Sequence, residues 1–199
     1  MRSLIAALSF LLFFTACGGN SGSGDATASA QTDVFADAAA ALAADEGAGR
    51  VARLLADNFS RLSDPATGAL NMAASEQYVG LAEALAGKYP GDTLAALPLY
   101  RAAEVVRAMG NSERTAQIYA RVHQEYPNFS KAPEALFMLA FTYDEELRDL
   151  DRAKATYQLF LERYPNNDFA DDATMLIENL GKSDEEVLRE LEAKSKEIQ

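Results

Sequence analysis

Cysteine, histidine and positive charge are all scarce in this chain, and each scarcity closes off a class of chemistry. Cys17 is the only cysteine and His123 the only histidine among 199 residues. A lone cysteine has no internal disulfide partner. A lone histidine, set between Val122 and Gln124 with no cysteine beside it, cannot assemble a His-rich metal site or a nucleophile arrangement. Lysine and arginine number 18 against 30 aspartates and glutamates, a formal net charge of -12. That balance lacks the basic face a nucleic-acid binder needs and the polybasic segment that holds a protein on anionic lipid. The glycines at 18, 19, 22 and 24 lie in a polar stretch rather than between a strand and a helix, so they make no phosphate loop. No segment sustains strand alternation. The sequence therefore implies no catalytic residue, no metal and no cofactor.

What is present begins with Arg2 and the apolar run Leu4 to Phe14, eleven residues long. That is signal-peptide length, well short of the roughly 20 residues that span a bilayer. Thr15, Ala16 and Cys17 follow, so residues 1–16 are expected to be an export signal. Residues 17–32 are rich in Gly, Ser, Ala and Thr, which bury too little apolar surface to order themselves, and are expected to form a tether reaching about 20 Å. Residues 33–48 are Ala-rich, with Asp33 placed to cap a short helix ending at Gly47.

The expected folded domain spans residues 49–199. Val51, Leu54, Leu55, Phe59 and Leu62 form one helical stripe, broken by Asp64-Pro65 and Gly68. Helices are then expected from Met72 to Lys88, Thr93 to Met109, Ser112 to Tyr126, Ser130 to Leu147 and Leu150 to Tyr164. Asp168 is placed to cap another that runs to Leu180. Ser183 and Glu186 form a capping box for the last. Tyr89-Pro90, Tyr126-Pro127 and Tyr164-Pro165 recur 37 and then 38 residues apart, each closing a helix, and a fixed period of this size marks a repeat array. The expected units are residues 49–90, 91–127 and 128–165, with a C-terminal cap at 166–199.

The residues within those units resemble the tetratricopeptide repeat. Leu136, Leu139, Ala140 and Tyr143 on one helix, then Ala153, Tyr157, Phe160 and Pro165 on the next, follow its signature. The preceding unit offers Leu99, Ala102, Ala103 and Val106, then Thr115, Tyr119, Val122 and Pro127; Thr115 stands where Ala is usual and Val106 where Tyr is usual. The resemblance implies an all-α solenoid of antiparallel helix pairs wound into a right-handed superhelix. Joined to the lipobox-like Thr15-Ala16-Cys17, it resembles the tetratricopeptide lipoproteins of Gram-negative outer membranes. That group includes the repeat subunit of the β-barrel assembly machine and the coordinator of the Tol-Pal system, and the run Leu176 to Leu188 is similar to small repeat lipoproteins of Bacteroidetes. The resemblance implies acylation of Cys17 and an anchored, non-enzymatic scaffold facing the periplasm, with protein partners in the envelope and none among nucleic acids. Two other roles stay open: a Tol-Pal or peptidoglycan-linked coordinator, and an accessory protein that captures small ligands.

The repeat register also implies where a partner would dock, on the first helices of successive units. That face would carry Tyr100, Glu104 and Arg107, then Glu134, Phe137, Phe141 and Asp144. Phe137 and Phe141, four apart on one helix, stand side by side. Exposed, they would form an aromatic anchor; covered by the adjacent unit, they would be core. The acids Asp144, Glu145, Glu146, Asp149 and Asp151 fit a solvated corner. Asp168, Asp171 and Asp172 fit a helix's first turn, since the stretch lacks the Gly and terminal Glu of a calcium loop.

Overall fold

Four helices of the central array start where a short polar side chain takes up a free backbone N–H. The computed structural model describes residues 33–197, so the expected signal segment 1–16, Cys17 and the tether 17–32 lie outside the described residues. Asn71 accepts from the N–H of Ala74 at the start of α3 (Met72–Lys88), and Asp92 from that of Leu94 at the start of α4 (Thr93–Ala108). Asn111 caps α5 (Ser112–Glu125) through the N–H of Arg114, and Asp149 caps α7 (Leu150–Arg163) through that of Arg152. Before these come α1 (Ala36–Ala43) and α2 (Ala48–Asp57); between α5 and α7 lies α6 (Ala132–Phe141); after them come α8 (Ala170–Asn179) and α9 (Asp184–Glu197). The only extended pairing among the described residues is an isolated antiparallel bridge, Ser63 with Leu70. The fold is an all-α, tetratricopeptide-like solenoid, in which α3 to α7 each pack on the helix that follows in the chain.

The three Tyr-Pro dipeptides make one and the same junction. The N–H of Tyr89, Tyr126 and Tyr164 closes the last turn of its helix onto the carbonyl four residues back. The carbonyl of each tyrosine then accepts from the residue three on, and that residue's carbonyl accepts from another three on. The chains run 89 to 92 to 95, 126 to 129 to 132, and 164 to 167 to 170. Proline ends the helix because it has no N–H to continue the ladder and disfavours the helical conformation in the tyrosine before it. At the other end of α4, Gly110 adopts φ 80°; its N–H bonds Arg107 O at 2.9 Å and that of Asn111 bonds Val106 O at 3.2 Å. This left-handed stop suits glycine.

Alanines let the helices approach. Ala96, Ala102 and Ala103 on α4, Ala135 and Ala140 on α6, and Ala153 on α7 are fully buried. Tyr78, Tyr119 and Tyr157 fill the space between paired helices. The core extends N-terminal to Gly49, where the domain was expected to start, because Phe35, Ala38 and Ala41 are buried in the same cluster. Phe35 meets the Tyr78 ring edge-on at 5.6 Å. Lys88 from α3 donates to Leu42 O at 2.6 Å and pairs with Asp45 at 3.2 Å. Arg114 on α5 bridges to α3, reaching Glu76 at 3.1 Å and Glu83 at 2.8 Å.

Several local expectations differ from the structure. The helix expected from Asp33 to Gly47 is α1, which stops at Ala43 and has no side-chain cap. Helix α2 stops at Asp57, not Leu62: Asn58 Nδ2 turns back onto Leu54 O at 2.9 Å, and Phe59–Leu62 continues as a 3₁₀ turn. The helix expected over Ser130 to Leu147 is α6 alone, followed by a wider π turn at Thr142–Glu146 in which Leu147 N bonds Thr142 O. Thr142 Oγ1 supports the widening by donating to Met138 O at 2.8 Å. Asp168 does not cap α8: Phe169 occupies the cap position with no side chain capping the helix, and Asn167 Oδ1 takes the N–H of Phe169 at 3.1 Å in the turn before it. Lastly, α9 starts at the expected Ser183 and Glu186 capping box, and among the described residues it has no extensive packing against another helix. No described helix is long and apolar enough to cross a membrane.

Candidate functional site

The helices α4 and α6 are the first helices of successive units, and between them lies a hollow of about 520 Å³. Tyr100, Glu104, Arg107 and Ala108 line it from α4, Glu134 and Met138 from α6, and Tyr119 from below. Four of the seven residues placed on this face by the repeat register therefore come together: Tyr100, Glu104, Arg107 and Glu134.

Their side chains are held in a defined arrangement. Tyr100 is buried except at its hydroxyl end, where it donates to Glu134 Oε1 at 2.7 Å. Lys131 binds the other oxygen of Glu134 at 2.6 Å, and its ammonium sits 5.1 Å from the centre of the Tyr100 ring. The ring also meets Tyr119 edge-on at 5.7 Å. Burial pushes the Glu134 carboxyl up, but donation from Lys131 and Tyr100 more than offsets it and leaves its pKa below the ordinary value. Burial and the bond to Glu134 together raise the Tyr100 phenol, so it stays a donor.

Glu104 is different. It faces the hollow with no hydrogen-bond donor among the described residues, and loss of water around it raises its pKa, with Glu134 adding to the rise and Lys131 opposing it. Exposed on the groove and without a donor from the protein, this carboxylate is a ready acceptor for an incoming N–H or cation. Glu104 also borders a second, more apolar hollow of about 450 Å³ on the far side of α4, between Phe59, Leu62, Leu70 and Val105. It therefore sits on the ridge between two surfaces.

The remaining three residues go elsewhere. Phe137 is no part of the groove: it is buried, stacks on Phe169 at 4.8 Å and meets Tyr157 at 5.8 Å and Phe160 at 5.6 Å. The adjacent unit covers it because Phe169, just ahead of α8, lies over its ring. Phe141 is half-buried under the Arg107 guanidinium, 5.3 Å from the ring centre, and Arg107 in turn pairs with Glu146. Asp144 is buried in the π turn, where burial and the neighbouring Glu145 raise its pKa. The two phenylalanines thus do not form a joint anchor. Met138 and Tyr119 take their place, and register alone could have found Met138, one turn on from Glu134 on the same face of α6.

His123 is buried between α5 and α7, with Arg163 Nη1 3.3 Å from its Nε2 and the Tyr164 ring edge-on at 6.2 Å. Burial first, and Arg163 second, lower its pKa, so the neutral imidazole accepts the guanidinium N–H. In the acidic corner, Glu146 pairs with Arg107, and Asp149 caps α7 and binds Arg152 at 2.6 Å. Among the described residues no three His, Cys, Asp or Glu side chains group in a way that could hold a metal ion.

Residues 99–128 and 134–167 each match the tetratricopeptide repeat family. No curated protein and no solved structure matches the chain. The two matched stretches are α4 with α5 and α6 with α7, so the hollow between α4 and α6 joins the first helices of two recognised repeats. Repeats of this kind stack into extended concave surfaces that bind other proteins.

Proposed function

We propose that this chain is a non-enzymatic tetratricopeptide scaffold of a bacterial cell envelope. Acylated Cys17 anchors it in the outer membrane facing the periplasm, and it docks a protein partner on the groove between α4 and α6 in outer-membrane assembly or maintenance. The observation that carries the docking is the α4–α6 hollow itself, where the exposed Glu104 carboxylate, without a donor among the described residues, stands above the aromatic floor of Tyr100 and Tyr119 at the seam between two repeats. A partner segment carrying an N–H or a cationic side chain would satisfy it while burying an apolar neighbour against Met138. Support for the anchor is the sequence alone, where Thr15, Ala16 and Cys17 follow an apolar run of signal-peptide length.

Photo-cross-linkers placed in cells at residues 104, 107 and 138, compared with the exposed second-helix positions Gln117 and Lys154, test the docking. Capture of one partner from the first set alone is expected, and equal capture from both sets would reject the groove. Replacing Cys17→Ser is expected to block processing or release the protein from membranes. Unchanged retention and processing would reject the acyl anchor.

A further inference from the structure

A second surface lies away from the α4–α6 groove. Between α2 and the start of α4 is a cleft of about 470 Å³ with an apolar lining. Leu94 and Leu97 flank it at 56% and 37% exposure, Pro98 and Tyr78 form its base, and Arg53 and Arg101 stand at its rim. Neither guanidinium is in an ion pair among the described residues; Arg101 rests 4.9 Å from the centre of the Phe59 ring. A cationic, apolar cleft on a chain of net charge -12 is out of keeping with the rest of its surface.

The opposite end of the array presents the complement. In α9, Leu188 is 58% exposed, and among the described residues the helix has no extensive packing against another. Glu185 and Glu192 lie three residues before and four residues after Leu188, on the same helical face. Both are exposed. Two neighbouring acids are engaged, Glu186 in the capping box with Ser183 and Glu190 with Lys182 at 2.6 Å. The face thus offers one large apolar side chain between two carboxylates, and the cleft offers an apolar slot between two guanidinium groups.

We infer that the α2–α4 cleft receives the C-terminal helix α9 of a second copy of this chain, with Leu188 between Leu94 and Leu97 and Glu185 and Glu192 on Arg53 and Arg101. The contact joins two different patches, so each copy has one of each to offer. Arg–carboxylate pairing fixes the register and Leu188 supplies the buried apolar anchor.

Sedimentation velocity of the full chain in mild detergent, run over a range of protein concentrations, tests this. Reversible, concentration-dependent association is expected. Arg53→Glu with Arg101→Glu, and separately Glu185→Arg with Glu192→Arg, should each weaken it about tenfold or more, and the four changes together should restore it. Arg53, Glu185 and Glu192 are exposed and Arg101 is half-buried at the cleft edge; circular dichroism of each variant should match the parent, and Leu188→Ser should abolish association by itself. A monomer at every concentration, association indifferent to either charge pair, or no recovery in the four-fold variant would each overturn the assignment.

Discussion

Arg163 points a guanidinium N–H at the Nε2 of the buried His123 across 3.3 Å, tying the second helix of one repeat to that of the next. The contact needs the imidazole neutral, because a protonated ring has no acceptor left and would face another cation. Burial and Arg163 hold the folded-state pKa below the ordinary value, so between the two values the unfolded chain binds the extra proton. Stability is thus full above the unfolded imidazole pKa, about 6.5, and declines as pH falls through the folded value. Thermal melts from about pH 7.5 to about pH 5.5 should show that loss, and His123→Gln should flatten it. An identical slope in the variant would remove this account.

Phe137 and Phe141 share a helix but should respond very differently to truncation. Phe137→Ala opens a cavity among Tyr157, Phe160 and Phe169, a change that costs about 3–5 kcal/mol in comparable cores. Phe141→Ala removes a half-buried ring under Arg107 and should cost less than half as much. Urea denaturation of the two variants gives the comparison directly, and equal losses would contradict the assignment of Phe137 to the core.

Glu104 is exposed and accepts no hydrogen bond among the described residues, so it should contribute little to stability. Its raised pKa means that the ionised form is disfavoured in the fold at neutral pH relative to the unfolded chain. Glu104→Gln is therefore expected to leave the melting temperature unchanged or higher, while lowering cross-linking to the groove partner. A clear drop in melting temperature would mean that Glu104 is a structural acceptor instead.

Close approach at alanine sets the spacing of the repeats. Ala140 is fully buried on α6. Ala140→Leu should cost about 1–3 kcal/mol by overpacking, measurable by chemical denaturation. Little or no effect would show that the helices can part without penalty.

The fold was legible because its determinants are local. Tyr-Pro junctions, Asn and Asp caps and the small-residue positions Ala103 and Ala140 each act within a few residues, so order in sequence reports order in space. The groove was half legible for the opposite reason. Tyr100, Glu104, Arg107 and Glu134 follow from repeat register, which fixes the direction of a side chain on its own helix. Whether Phe137 is covered depends on Phe169, thirty-two positions away, and no periodicity on α6 encodes that. The π turn after Phe141 then rotates Asp144 inward, so a register extended past Thr142 misplaces it. The start of α8 shows the same limit at single-residue scale, since Phe169 and not Asp168 occupies its cap position and no polar side chain caps it.

The junction made at Tyr89, Tyr126 and Tyr164 has a consequence for how such a chain changes over time. Its backbone hydrogen bonds reach only from four residues before the tyrosine to six after it, so the exit direction of each unit is set without reference to how many units precede or follow. Whole units can then be gained or lost at these joints while the angle between neighbours stays constant. The reach of the array becomes an independent variable, adjustable by duplication or deletion without redesign of the interior.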